Sequence, residues 1–139
     1  MRYQVHTDGA ARGNPGPAAI GVVIQDEAGR VVWETSRSLG IRTNNEAEYL
    51  ALIAAIEYLK DARAREADFF LDSELVVRQL NGEYRVKEPR LQALHGQAVM
   101  LLNAVPAHTI RHVRRKDNAR ADELANEALD AESGPPTGA

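Results

Sequence analysis

A helical stripe in the middle of the chain limits what the rest of it can form. Tyr49, Leu52, Ile53, Ile56 and Leu59 recur at three- and four-residue spacing, so a long helix with one buried face begins near Thr43. Thr43 suits the N-cap, and Glu46 stands three residues on, where a capping-box acid belongs. Before this helix the period is two. Tyr3, Val5 and Thr7 alternate with Arg2, Gln4 and His6, and residues 19–25 and 29–39 read as two more strands joined by a short turn. After the helix comes Phe69-Phe70-Leu71, a continuous apolar run that predicts a central parallel strand covered on both faces. A helix between a three-stranded meander and such a strand acts as a crossover, and the result is a mixed sheet.

The remaining punctuation fits that frame. A short helix over residues 73–80 is stopped by Asn81-Gly82, and Pro89 starts another that runs to about residue 103. Residues 109–113 form a last strand, and Ala121, Leu124, Ala125, Ala128 and Leu129 mark a terminal helix. The fold class is α/β: one five-stranded mixed sheet, three antiparallel strands followed by parallel ones, flanked by helices. A single domain is expected over residues 1–131, with residues 132–139 as a disordered tail because Gly-Pro-Pro and Gly dominate it.

Composition narrows the chemistry. With no cysteine in 139 residues, disulfides, thiolate metal sites and a catalytic cysteine are excluded. At 44% hydrophobic and 27% charged the chain can bury an ordinary globular core. The N-terminus enters a strand pattern without an apolar leader, and no stretch is long enough to cross a membrane, so a cytoplasmic protein is expected. A net charge of −3 argues against coating nucleic acid by bulk positive charge, yet the basic residues are unevenly placed. Arg111, Arg114, Arg115, Lys116 and Arg120 form a run suited to phosphate contact or, equally, to a solvated face.

Four acids occupy positions where they could meet. Asp8 ends the first strand, Asp72 ends the fourth, and Asp122 opens the last helix. In open α/β sheets, ligands collect beyond the carboxyl ends of parallel strands. Glu48 lies one turn before Leu52 and therefore on the buried stripe, where an unpaired acid is costly, whereas Glu46 lies off that stripe. Each acid also has a plainer reading. Asp8-Gly9 could be a turn, Asp72 an N-cap, and Asp122 a favourable charge at a helix start. As a group they would repel one another unless a divalent cation neutralised them, and all-oxygen ligands suit magnesium or manganese rather than zinc. Two such ions about 3.5–4 Å apart can activate water and stabilise the leaving oxygen of a phosphodiester.

The segments Thr7-Asp8-Gly9-Ala10, Gly13-Asn14-Pro15-Gly16-Pro17, Thr43-Asn44-Asn45-Glu46-Ala47-Glu48-Tyr49, Leu71-Asp72-Ser73 and Asn118 with Ala121-Asp122-Glu123-Leu124-Ala125 together resemble the type 1 ribonuclease H family, in that family's order and over nearly the whole chain. The resemblance implies a ribonuclease H-like fold and hydrolysis of the RNA strand of RNA/DNA hybrids to 5′-phosphate and 3′-hydroxyl ends. It implies that Asp8, Glu48, Asp72 and Asp122 are catalytic and bind two Mg2+ ions, with Mn2+ as substitute. It places substrate contacts at Gly9, Asn14, Asn44, Asn45 and Ser73, with ribose 2′-hydroxyls as the feature that separates RNA from DNA. Arg114, Arg115 and Lys116 are the expected phosphate contacts.

Three departures narrow the resemblance. Residues 83–90 are too short for the basic, tryptophan-containing handle of many members. The histidine that many carry on a loop before the last helix has no clear counterpart, since His112 falls within the last predicted strand. Glu74 stands where some relatives place a glutamine. These features match the short archaeal and bacterial branch, whose members also cut double-stranded RNA. A monomer is expected. Resolvase, integrase or exonuclease relatives lack the asparagine pair around Asn14 and Asn44-Asn45. A non-catalytic binding module would gain nothing from clustered acids beside phosphates, and the Gly13–Pro17 segment lacks the helix start of a dinucleotide fingerprint.

Overall fold

The computed structural model describes residues 1–133. The elements run β1 (Arg2–Ala11), β2 (Gly16–Gln25), β3 (Val31–Arg42), α1 (Asn44–Asp61), β4 (Glu66–Leu71), α2 (Glu74–Leu80), α3 (Pro89–Leu102), β5 (Ala107–His112), a 3-10 turn (Arg115–Asn118) and α4 (Ala119–Ser133). They build one five-stranded sheet in the order β3-β2-β1-β4-β5. The β1–β2 and β2–β3 pairs are antiparallel, while β1–β4 and β4–β5 are parallel.

Local chemistry explains the boundaries. Thr43 caps α1 through a complete capping box: its hydroxyl accepts from Glu46 N at 3.1 Å, and Glu46 Oε1 accepts from Thr43 N at 3.0 Å. Glu88 caps α3, with Pro89 at its first position. The turn before β3 is held by Asp26, whose Oδ1 accepts from Ala28 N at 2.9 Å and Arg30 N at 3.0 Å. No helix among the described residues is long and apolar enough to cross a membrane.

One face of the sheet carries the main core. Val5, Val22, Ile24, Phe69 and Leu71 meet Tyr49, Leu52, Ile56 and Leu59 of α1, with α3 packed outside. On the other face α4 packs on β1, β2 and β3, where Val23 meets Ala121 and Leu124. Gly21 permits this approach, because a Cβ there would lie 2.0 Å from the Ala121 carbonyl oxygen.

Several expected limits shift. β1 does not stop at Asp8-Gly9 but continues to Ala11, because its pairing with β2 persists through Ala11↔Ala18. β4 is covered on one face only: Ala67, Phe69 and Leu71 are buried while Phe70 is partly exposed, since α4 lies over the other half of the sheet. Helix α4 includes Glu132 and Ser133, which were expected in the tail; residues 134–139 of that tail lie outside the described residues.

Candidate active site

Asp8 enters the site where β1 changes neighbours. Its parallel register with β4 ends at Thr7↔Leu71, and Asp72 follows Leu71 directly, so both acids leave adjacent parallel strands at one level. Because β1 carries on as a strand, Asp8-Gly9 is not a turn. Nor does Asp72 cap α2: that role falls to Ser73, whose hydroxyl accepts from Val76 N at 3.3 Å. Glu48 arrives from the first turns of α1, only 5% exposed, and accepts a hydrogen bond from Gly9 N at 2.8 Å. Gly9 has no room for a side chain, since a Cβ would lie 2.1 Å from the Ala47 carbonyl carbon. The approach of β1 to α1 therefore depends on that glycine. Glu46 points elsewhere, into its cap and toward Arg42 at 3.6 Å.

Oxygens of Asp8, Glu48 and Asp72 lie within 4.8 Å of one another. Asp122, in the first turn of α4, stands outside that tight group and pairs with Arg115 at 3.4 Å, yet its charge still acts on Asp8. Burial, and then repulsion from Asp72, pushes the Asp8 carboxyl up to about 8. Burial, reinforced by the charges of Asp8 and Asp72, holds Glu48 well above the usual carboxylate range. Asp72 is raised by burial as well, opposed by the Asn118 amide and by the charges of Arg115 and His112.

Two atoms complete the description. Asp8 Oδ2 and Glu48 Oε2 are buried with no hydrogen-bond partner among the described residues. Buried carboxylate oxygens without donors, gathered with a third acid, fit a hard divalent cation bound through oxygen. The donor set contains neither sulfur nor imidazole, so magnesium or manganese fits it and zinc does not.

Asn118 is the site residue to which sequence reasoning assigned no role. It is 1% exposed and donates from Nδ2 to the Thr7 carbonyl at 2.8 Å, tying the turn before α4 to β1 next to Asp8. The signal was legible: Asn118 lies three residues before Ala121 and seven before Ala125, on the same buried stripe.

A family model described as reverse transcriptase-like matches residues 6–128. Ribonuclease HI of Halobacterium salinarum is 45% identical over 129 residues, 93% of this chain and 65% of that protein. The crystal structure of RNase H1 from H. salinarum NRC-1 superposes with a TM-score of 0.91 at 44% identity, covering 94% of this chain and 99% of that one. The chain belongs to the type 1 ribonuclease H family. LC11-RNase H1, solved in complex with an RNA/DNA hybrid, is 46% identical, with a TM-score of 0.90 over 95% of this chain and 99% of that one. The chain spans 65% of the length of the curated Halobacterium relative and 36% of a 40% identical bifunctional protein of Mycobacterium tuberculosis.

As a type 1 ribonuclease H, the chain is of the short form: residues 81–88 join α2 to α3 without a helix between them. Its substrate-facing candidates fall into two groups. Asn14 and Asn44 are bound together, since Asn14 Oδ1 accepts from Asn44 N at 3.0 Å and Asn44 Oδ1 accepts from Ala11 N at 2.8 Å. With Asn45, Thr43 and Arg90, Asn14 lines a cleft of about 510 Å³. The basic run splits apart. Arg120 is held by Glu34 at 2.9 and 3.1 Å and also faces Glu123 and Glu127, so it is engaged within the protein. Arg114 pairs with Asp117 at 3.7 Å and Arg115 with Asp122, whereas Lys116 is exposed and forms no ion pair among the described residues. Glu74 pairs with Arg78 at 2.9 Å. His112 ends β5, in register with Leu71.

Proposed function

We propose that the chain is a metal-dependent endoribonuclease that hydrolyses the RNA strand of RNA/DNA hybrids, with Asp8, Glu48, Asp72 and Asp122 holding two divalent ions. The pair of buried, unpartnered oxygens on Asp8 and Glu48, beside Asp72, is the observation that carries this reading. The hybrid bound to LC11-RNase H1, at 46% identity, supports the choice of substrate. When bound, two magnesium ions, or manganese in their place, supply activated water and neutralise charge on the leaving oxygen.

The chain's own residues do the positioning. Gly9 N holds one oxygen of Glu48, which leaves the other for the site. Asn118 keeps α4, and with it Asp122, against β1 at Thr7, next to Asp8. Asn14, Asn44 and Asn45 face the minor groove and read ribose 2′-hydroxyls, with Gly9 and Ser73 flanking the acids. Arg114, Arg115 and Lys116 meet phosphates; Arg115 exchanges Asp122 for phosphate once a cation neutralises that acid. Cleavage leaves 5′-phosphate and 3′-hydroxyl ends. Double-stranded RNA is a second substrate on this reading, since the 2′-hydroxyls that the asparagines read are present there too.

Cleavage of a labelled RNA/DNA hybrid with magnesium or manganese, beside RNA-duplex and DNA-duplex controls, tests the proposal. Asp8→Asn and Asp72→Asn should each reduce cutting to background while hybrid binding persists. Full activity in either variant would sink the metal assignment, and cutting of duplex DNA but not hybrid would sink the substrate assignment. His112→Ala should change the rate little. A loss of about 10²-fold, the scale of general acid–base catalysis, would bring His112 into the reaction.

A further inference from the structure

Glu48 reaches the site from α1, whereas Asp8 lies on the sheet face that α4 packs against, in register with Gly21. Side chains alternate along β1, so the next one on the face of Asp8 is His6, roughly 7 Å further down the strand. His6 is in register with Val23 on β2 and Phe70 on β4. Helix α4 covers Val23 and packs mainly on β1, β2 and β3, while His6 and Phe70 stay partly exposed beside it. Their rings stack, with centroids 4.9 Å apart and planes 21° apart. Neither ring nitrogen of His6 makes a hydrogen bond among the described residues.

Beside His6 opens a cavity of about 270 Å³, bounded by Val23 and Gln25 on the sheet and by Lys116, Asn118 and Arg120 across from them. That volume falls below the range of about 300–1,000 Å³ for drug-sized ligands. It is room enough for one planar ring system. Gln25 donates its amide N–H to the Gly29 carbonyl at 3.2 Å, which leaves its side-chain oxygen to accept. Lys116 is a cation at the rim with no ion pair among the described residues. An aromatic ring with one face already stacked, an open acceptor and a cation that the proposed function already sets against phosphate are what sites for single-stranded nucleic acid combine.

We propose that this cavity binds one unpaired nucleotide, its base stacked on His6 in continuation of Phe70 and its phosphate held by Lys116. The inference rests on the nuclease reading only for the nucleotide's source, which is either the single-stranded end of an RNA strand beyond the hybrid or a free mononucleotide.

NMR titration of the metal-free full chain with uridine 5′-monophosphate should shift the ring signals of His6 and Phe70, and inorganic phosphate should leave them in place. His6→Phe, which keeps a ring to stack on, should bind as the native chain does. His6→Leu should weaken binding about 5- to 100-fold, the range for losing one base stack. In cleavage assays, a hybrid whose RNA strand extends as a single strand should show a lower KM than a blunt hybrid. His6→Leu should erase that difference and leave blunt-hybrid cleavage unchanged. Mononucleotide binding without an overhang effect would support the site and assign it to free nucleotide. Equal ring shifts with phosphate, or native affinity in His6→Leu, would overturn the proposal. Intact nucleotide binding in a chain that cuts no hybrid would overturn the nuclease reading and leave this site standing.

Discussion

At Glu48 burial and charge are most directly opposed. The carboxyl is 5% exposed, receives one backbone donor and faces two other acids, so its ionised form is held in the protein at a cost. Asp8 shares the problem. A carboxyl whose folded pKa exceeds its unfolded value favours the fold most at low pH and loses that contribution as pH rises. Asp8 ionises near 3.9 in an unfolded chain and at about 8 in the fold. The metal-free protein should therefore lose stability between about pH 4 and pH 8 from this cluster alone. Asp8→Asn removes the charge while keeping the shape. It should raise stability by on the order of 1–3 kcal/mol at pH 7.5 in a chelator, read from denaturant melts, even as it ends cleavage. A destabilised Asp8→Asn would show that the acids do not repel one another as described.

Among the elements, α4 is the one whose seating decides the site. It brings Asp122 to the cluster, and its position over β2 depends on Gly21 and on the Asn118 amide at the Thr7 carbonyl. Gly21→Ala would set a Cβ 2.0 Å from the Ala121 oxygen and 2.7 Å from Ala125 N, both backbone atoms that cannot turn aside. α4 must then shift, at an expected cost of about 1–3 kcal/mol, and hybrid cleavage should fall with it. Native melting and native cleavage in this variant would mean that α4 does not sit so close. Much of this level was legible without coordinates. The α1 capping box and the α2 stop at Asn81-Gly82 follow from neighbours within a few residues; the buried stripe does not separate Glu48 from Glu46, since the two are 5% and 4% exposed, and only the cap sets Glu46 apart. The continuation of β1 through Asp8 was not legible, because strand pairing with residues 18–21 outweighs the turn preference of Asp-Gly.

For the molecule as a whole, the sheet carries its main core under α1 on one face and is covered by α4 over β1, β2 and β3 on the other, and Asp68 anchors the half beyond α4. It accepts from Arg2 Nη2 at 2.7 Å, Arg2 Nε at 2.8 Å, Gln4 Nε2 at 3.0 Å and Thr109 Oγ1 at 2.6 Å, so it joins β1, β4 and β5. The Arg2 guanidinium and the two neutral donors hold its carboxyl below the usual carboxylate range. A depressed pKa stabilises the fold above the unfolded value, near 3.9, and the contribution fades as pH falls through the folded value. Asp68→Asn should cost about 1–2 kcal/mol at pH 7, with the gap to the native chain closing below pH 4. A gap independent of pH would place the loss in packing rather than charge.

The order of elements and the Thr43 cap of α1 were determined by the sequence alone, since they rest on side-chain period and on backbone preferences that act over a few residues, while the set of four acids came from the resemblance of whole segments to a family. Tertiary structure alone decided that Asp122 reaches Asp8 from α4 while also pairing with Arg115. It also withdrew Arg120 into pairs with Glu34, Glu123 and Glu127, and left His6 and Phe70 beside an open cavity. The reason is distance along the chain. Arg120 and Glu34, or Asp8 and Glu48, become neighbours only when strands pair and helices dock, and no local signal encodes which charges that docking brings together.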